Sequence, residues 1–112
     1  MRAASLSAGS LRRRVTLERP ALAPDGAGGA ERAYTAVARL WAALLPVEPR
    51  ADGGGDGSAR ALATHRLVLR WRPDIDAASR FRLGTRVFNV NAVADADGLR
   101  RRLVCLVEEE TP

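Results

Sequence analysis

The side chains that could do catalytic chemistry are few in this sequence and form no recognisable catalytic set. Asp74 and Asp76 form a close carboxylate pair of the kind that general acid–base catalysis uses. They directly follow Pro73, however, and aspartates in such a position commonly form turns, which is the interpretation we favour. The single histidine, His65, begins an apparent strand and has no second histidine or cysteine beside it. This favours a hydrogen-bonded strand residue over a general base, so we expect no catalytic residue and no enzyme activity.

Metal and cofactor chemistry has equally little support. Cys105 is the only cysteine, so the chain cannot form an internal disulfide, and with one histidine it cannot supply the usual tetrahedral metal site. The apolar neighbours of Cys105 favour a buried thiol over a reactive one. The glycine run Gly53–Gly55 lacks the lysine and the helix start of a phosphate-binding loop. We expect no metal and no cofactor.

Arginine is the functional group that the sequence supplies in quantity. All 18 basic residues are arginine and the net charge is +5, which attracts polyanions at long range. Two interpretations stay open, because arginines can contact nucleic-acid phosphates or pair with carboxylates at subunit interfaces. With 2 Trp, 2 Phe and 1 Tyr, the chain has few aromatic rings on which single-stranded bases could stack. The candidate interface or DNA-proximal residues are Arg66, Arg70, Arg72, Arg80, Arg82, Arg100 and Arg102.

Alternating apolar and polar residues predict that strands position these arginines. The clearest alternation runs from Thr64 to Arg72 and ends at Pro73, which cannot donate to a strand ladder. Turns at Gly84-Thr85 and at the Asp97-Gly98 pair predict two hairpins. In the first strand, the run Arg12–Arg14 is more typical of a solvated face than of a nucleic-acid patch. The predicted strands are 11–19, the second half of 31–45, 64–72, 80–83, 87–93 and 99–108.

The segments between these strands are predicted to be loops. Segment 20–30 is rich in proline and glycine and reads as a surface loop too long for a tight hairpin. Segment 49–63 contains the glycine run and is expected to project, with a helical turn allowed at 58–64. Residues 1–10 are expected to form a flexible tail.

Segment 31–45 is ambiguous, because its alanines and leucines also suit a helix. We favour a strand for its second half, since Trp41, Ala43 and Leu45 alternate. The chain is then all-β, a small single-domain barrel or sandwich of about six short antiparallel strands with long loops. The predicted core includes Trp41, Leu67, Leu69, Val87, Phe88, Val90, Leu103 and Cys105.

Several landmarks in this order resemble the head-tail joining proteins of long-tailed phages, also called head-completion or stopper proteins. They are the strand from Leu11 to Leu17, the early Asp-Gly-x-Gly-Gly loop, Leu40-Trp41-Ala42, Thr64-His65-Arg66 opening the central strand, the Gly84-Thr85-Arg86-Val87-Phe88 hairpin, and Cys105 before Glu108. The resemblance extends from Leu11 to Glu108 and includes relatives in prophages and gene transfer agents. The sequence departs from the family pattern at 49–58, where a glycine run replaces polar and helix-forming residues.

The resemblance implies a structural protein of the virion neck, made in the bacterial cytoplasm. Its subunits would form a ring of about six or twelve copies, with a portal or adaptor ring above and a tail terminator or tail tube below. Double-stranded DNA would occupy the channel, and no membrane would be involved, since no apolar run is long enough to span one. Candidate residues of a channel loop are Arg50, Asp52, Asp56 and Arg60.

The alternative from a different class is a small nucleic-acid-binding barrel that acts alone. In that case Arg66, Arg70, Arg72 and the run Arg100–Arg102 would form a track for phosphates.

Overall fold

The computed structural model of the protein describes residues 11–24, 26, 30–47 and 63–111, which form six strands. They are β1 (Arg13–Pro24), β2 (Ala30–Pro46), β3 (His65–Arg70), β4 (Arg80–Leu83), β5 (Arg86–Asp95) and β6 (Arg102–Glu109). All pairings are antiparallel, and the order β1-β2-β3-β6-β5-β4 closes into a barrel. The predicted all-β fold is confirmed, as a barrel and not as a sandwich. Within the described ranges there is no helix, and so none that could cross a membrane.

The barrel closes between its first strand and its shortest one. β1 pairs with β4 through only three residue pairs, in which Thr16, Leu17 and Glu18 face Arg82, Phe81 and Arg80. On its other side β1 pairs with β2 along its whole length, with a bulge between Leu17 and Glu18. A bulge bends a strand and increases its twist, which a barrel wall requires.

The interior is filled by alternate residues of every strand. Phe81 and Phe88 face each other across β4 and β5 and are fully buried. The residues of this core cluster are Val15, Leu17, Ala42, Leu67, Leu69, Ile75, Phe81, Phe88, Val90, Leu103, Cys105 and Val107. Six of the eight predicted core residues therefore lie in it, while Val87 is only half-buried. Burial raises the pKa of the Cys105 thiol to about 12, as expected for a thiol used as a small apolar side chain.

The prediction that Trp41 belongs to the core is wrong, because its side chain is 52% exposed. On β2 the inward positions are taken by Ala42 and the partly buried Leu40 and Leu44. Trp41 and Ala43 therefore point outward. The predicted alternation along β2 was correct, but the prediction that the face with Trp41 points into the barrel was wrong. Two phenylalanines already occupy much of the small barrel interior. The space left beside β2 fits an alanine side chain but not a tryptophan side chain.

The predicted loop at 20–30 is also wrong, since strand pairing continues from Arg19 opposite Thr35 to Pro24 opposite Ala30. Beyond Glu18, β1 no longer pairs with β4, so the end of the β1–β2 hairpin is a two-stranded arm. An arm of this kind has open edges, where proline is tolerated because no neighbour needs its N–H. The first half of segment 31–45 is likewise strand, because pairing with β1 overrides the helix propensity of its alanines.

Smaller differences concern the ends of strands that carry arginines. β3 ends at Arg70, so Arg72 lies in the following loop, and β6 begins only at Arg102, so Arg100 lies in the turn before it. Leu11 precedes β1 and packs on the outside of the barrel with Ala43 and Val68. The helical turn allowed at 58–64 falls mostly outside the described residues, and Ala63 and Thr64 are not helical.

We predict that Phe81→Ala lowers the free energy of unfolding by about 3–5 kcal/mol, because it empties a fully buried position beside the barrel seam. The matched control is Trp41→Ala, which removes a larger side chain from the outer face and should cost about 1 kcal/mol or less. Urea denaturation followed by circular dichroism measures both. Equal losses in the two variants would contradict this assignment of inside and outside.

Candidate interaction surface

Two of the candidate arginines secure the barrel seam. Glu18 is only 8% exposed, and its carboxylate accepts hydrogen bonds from Arg80 Nε at 2.6 Å and Arg82 Nε at 3.3 Å. Burial disfavours the charged form of Glu18, but the hydrogen bonds from the two arginines outweigh it and lower the pKa of this carboxyl. The Arg80 guanidinium also lies over the Tyr34 ring, 3.7 Å from its centroid. Arg80 and Arg82 therefore have partners within the subunit.

Arg72 likewise has an internal partner, in the loop after β3. Its Nε and Nη2 donate to the two carboxylate oxygens of Asp74 at 2.8 and 2.7 Å. The hydrogen bond from Arg72 lowers the pKa of Asp74, and the same bond raises the pKa of Arg72. Asp76 accepts a hydrogen bond from the backbone N–H of Ala78 at 2.9 Å. Both aspartates thus serve the loop, as the turn interpretation predicted.

The start of β6 and the turn before it place Arg102 and Arg100, respectively, in unusual surroundings. Asp95 accepts the backbone N–H of Arg100 at 2.9 Å and so supports a residue with a φ of 56°, a rare value outside glycine. The Arg100 guanidinium lies 5.4 Å from the centre of the Trp71 ring. Arg102 Nε is buried and has no hydrogen-bond partner among the described residues. Arg102 also stands directly opposite Arg70 on β3, a like-charge pair that weakens a sheet.

The exposed Trp41 side chain lies at the centre of the arginine-rich outer face. Arg14 is its cross-strand partner on β1, and the Arg14 guanidinium lies 4.9 Å from the ring centroid. On the other side, Ala42 pairs with Leu69, which places Arg70 beside Trp41 on β3. We call Trp41 with the arginines around it the Trp41 patch. Its arginines are Arg12, Arg14, Arg39, Arg70 and Arg72.

Two shallow depressions adjoin Trp41 and share Arg70 as a wall. One, of about 350 Å³, is lined by Leu11, Arg12, Trp41 and Arg70. The other, of about 260 Å³, is lined by Arg39, Leu40, Trp41, Leu69, Arg70 and Arg72. Each combines apolar side chains with guanidinium groups. This combination suits a ligand that carries both carboxylates and small apolar groups.

The opposite end of β6 is acidic. Arg86 Nε and Nη2 donate to Glu109 at 2.8 and 3.0 Å, and the Asn89 amide donates to Glu110 at 3.0 Å. The hydrogen bond from Arg86 lowers the pKa of Glu109. Glu108 points to the outer face opposite Asn89 and has no ion-pair partner in the described part of the chain.

His65 lies near this acidic end as a strand residue. Its Nδ1 is 2.9 Å from Thr64 Oγ1, and its ring contacts Phe88 edge-on at 5.2 Å between centroids. Burial lowers the pKa of His65, with Glu109 and Arg86 acting in opposite directions. These contacts agree with the predicted strand role.

The structure thus separates the arginines predicted from the sequence into those that line the Trp41 patch and those that do not. Arg70 lines the Trp41 patch together with Arg72, whereas Arg66 sits half-buried farther along β3, between Leu45 and Leu106. The four candidates of the channel loop, Arg50, Asp52, Asp56 and Arg60, lie outside the described residues. Within the described ranges no three His, Cys, Asp or Glu side chains lie together as a metal site would require.

Sequence reasoning missed Trp41 and Arg39 as surface residues. A signal was available, since Arg39 and Trp41 are two residues apart on β2 and therefore face the same side. Because arginine is rarely buried, Arg39 indicates that the face of β2 it shares with Trp41 is the outer one.

Comparisons with known proteins match nearly the whole length of the chain. A family model described as phage head completion protein matches residues 6–110. The solution structure of protein SF1141 from Shigella flexneri 2a is similar, with 29% identity, a TM-score of 0.72, and coverage of 95% of this chain and 98% of that one. A chain in the virion of a native gene transfer agent particle is 30% identical with a TM-score of 0.61, covering 91% of this chain and 97% of that one. None of the curated proteins compared with the chain is significantly similar to it.

We predict that Glu18→Gln lowers the free energy of unfolding at pH 7 by about 1–3 kcal/mol, because it weakens the bonds to Arg80 and Arg82 at the seam. Since the folded-state pKa of Glu18 is lowered, this stability is present above the unfolded pKa of about 4.3 and is lost as the pH falls through the folded value. Urea titrations at pH 7 and at about pH 3 measure the difference.

The control is Glu109→Gln, which breaks a more exposed pair and should lower the free energy of unfolding by less than Glu18→Gln does. A Glu18→Gln loss that stays constant as the pH falls would mean that the carboxylate charge does not contribute to closure.

Proposed function

The chain belongs to the phage head completion protein family, and on this basis we propose that it is a ring-forming subunit of a head–tail connector. The ring lies between the portal or adaptor ring and the tail terminator or tail tube. It joins the DNA-filled capsid to the tail and retains the packaged DNA. The subunit is made in the bacterial cytoplasm and ends in the neck of a phage or phage-like particle.

The observation that carries this proposal is the similarity to a chain of a gene transfer agent virion. That chain is matched over nearly its whole length, so the small barrel is the common unit. The family is one of structural virion proteins, which agrees with a role carried by surfaces. In the described residues, the potentially catalytic groups Asp74, Asp76, His65 and Cys105 have structural contacts.

The β1–β2 arm supports a position between stacked rings. Among the described residues, no third strand pairs with β1 past Glu18 or with β2 before Ala42, and small residues of β2 such as Ala33 and Ala36 are exposed. Val37, at the base of the arm on β2, is 44% exposed. An uncovered edge with small and apolar side chains favours pairing with another chain. We propose that the arm contacts a neighbouring subunit or ring.

A stand-alone nucleic-acid-binding barrel is the second candidate, and the net charge of +5 favours it. The proposed phosphate track is weakened, however, because Arg72 is held by Asp74 and Arg101 by Asp97, the latter at 2.7 Å. Arginines with carboxylate partners in the subunit release fewer counterions on binding DNA than free ones.

We predict that deleting the gene from a particle-producing strain yields capsids and tails that are not joined, because the connector ring is missing. Electron microscopy counts tailed particles, and nuclease treatment of the lysate measures the protected DNA. Expression of the wild-type chain in trans should restore both. Tailed particles in normal number without the gene would refute the proposed function.

We also propose that segment 49–63 projects toward the channel or an adjacent ring, with Arg50, Asp52, Asp56 and Arg60 as its charged residues. The backbone N–H of Val47 donates to the carbonyl of Thr64 at 2.9 Å, so the two ends of the segment are held together by the barrel. Deleting residues 52–57 should therefore change the unfolding midpoint little, since loop length has a small effect on stability. The same deletion should weaken DNA retention or tail attachment in the complementation assay. Normal particles would show that the segment is only a linker.

A further inference from the structure

The Trp41 patch contains more positive charge than the subunit itself uses. Arg14, Arg39 and Arg70 form no ion pair with a carboxylate among the described residues. Arg70 also faces Arg102 across the β3–β6 ladder, which costs stability in the isolated subunit. An arrangement that costs stability without serving the fold points to a ligand outside the subunit.

The chemistry of the patch favours a protein segment over nucleic acid. Tryptophan and arginine are the side chains most enriched among residues that dominate protein–protein binding energy. Duplex DNA would contact the arginines mainly through its phosphates, and its base faces are stacked inside the helix, out of reach of a Trp41 ring that is 52% exposed. Single-stranded bases could stack on the ring, but Trp41 is the one aromatic residue of the patch and Arg14 occupies one side of it at 4.9 Å, which leaves no row of rings for successive bases. The expected ligand is therefore an acidic protein segment.

This chain carries such a segment at the other end of β6. Glu108 is on the outer face and has no ion-pair partner among the described residues. Glu109 is paired with Arg86, but Glu110 accepts, within the same residues, only the neutral Asn89 amide and so adds negative charge. Arg102 and Glu108 lie at opposite ends of the strand, about 20 Å apart at the usual rise per residue. A ring built by rotation needs two different, complementary surfaces on each subunit. The Trp41 patch and the Glu108 end meet that requirement.

We propose that the Trp41 patch of one subunit binds the Glu108 end of the next copy, head to tail. This inference rests on the proposed ring and names the two surfaces that form it. Arg70 and Glu108 are the central pair, because Arg70 lines both depressions and neither residue has an ion-pair partner in the described part of its own subunit.

Complementation of the gene-deletion strain tests the proposal with two charge reversals. Arg70→Glu reverses a charge in the patch and leaves the Glu108 end unchanged. Glu108→Arg reverses the charge at that end and leaves the patch unchanged. Each variant alone should reduce tailed, DNA-containing particles by about tenfold or more. Expressed together, the two variants should restore particles, because they can alternate in one ring. The unchanged patch of the Glu108→Arg subunit binds the unchanged end of the Arg70→Glu subunit. At the other contact, the new glutamate at position 70 faces the new arginine at position 108, so the charges are again opposite.

The matched control is Arg13→Glu, which makes the same charge change at an exposed position outside both depressions. It should support normal particle numbers. Circular dichroism and urea denaturation of all purified variants confirm that they fold.

Each other outcome overturns the inference. Normal particle numbers with Arg70→Glu alone would mean that the patch has no role in assembly. A lack of rescue by co-expression would mean that another acidic protein occupies the patch. Equal defects in Arg13→Glu and Arg70→Glu, or tailed particles that lose only their DNA, would point to DNA as the ligand. These results differ from failure of the proposed function, in which the gene deletion itself leaves particles joined.

Discussion

Closure of the barrel through the short β1–β4 pairing is the constraint on which the rest of the structure depends. Only three residue pairs join these strands, so the seam has few backbone hydrogen bonds. On the inner side, Leu17 and Phe81 meet in the core, and on the outer side Glu18 binds Arg80 and Arg82. A short ladder is thus reinforced by apolar burial on one face and by charged hydrogen bonds on the other. Without closure, β1 and β4 would expose open edges.

A closed barrel of this size is filled by its own side chains, and this moves function to the outer surface. Phe81 and Phe88 with the surrounding aliphatic residues occupy the interior, and Cys105 is part of the same packing. Among the described strands, the groups that can bind a partner are consequently on the outer faces of β1, β2, β3 and β6. Membership in the phage head completion family agrees with this arrangement, since a structural virion protein acts through contacts with other proteins.

The arginines of this chain have distinct roles despite their identical chemistry. Arg80 and Arg82 close the barrel, Arg72 and Arg86 pair with nearby carboxylates, and Arg70 has no such partner in the described residues. Exposed pairs such as Arg86–Glu109 add little to stability, whereas the Glu18 cluster is buried enough to matter. The arginines best suited to an interface are those that lie beside the exposed tryptophan and have no carboxylate partner in the described residues, namely Arg14, Arg39 and Arg70. Burial and partner geometry, more than residue type, separate these roles.

The sequence by itself determined the strand content and most of the core. Period-two alternation identified β3, β4, β5 and β6, and the Gly84 and Asp97-Gly98 turns located both hairpins, because these signals are local. The order and spacing of short motifs also identified the family. The arginine candidates could be named from the sequence, but the partner of each one could not.

Only the tertiary structure decided which face of β2 is inside and how far the β1–β2 hairpin extends. Alternation states that Trp41 and Ala43 share a face, but the volume left by residues distant in sequence, such as Phe81 and Phe88, determines which face is buried. Pairing to Pro24 likewise depends on a partner strand that local proline and glycine signals do not reveal. The Trp41 patch arises from this long-range packing, since β1, β2 and β3 bring Arg14, Trp41 and Arg70 together.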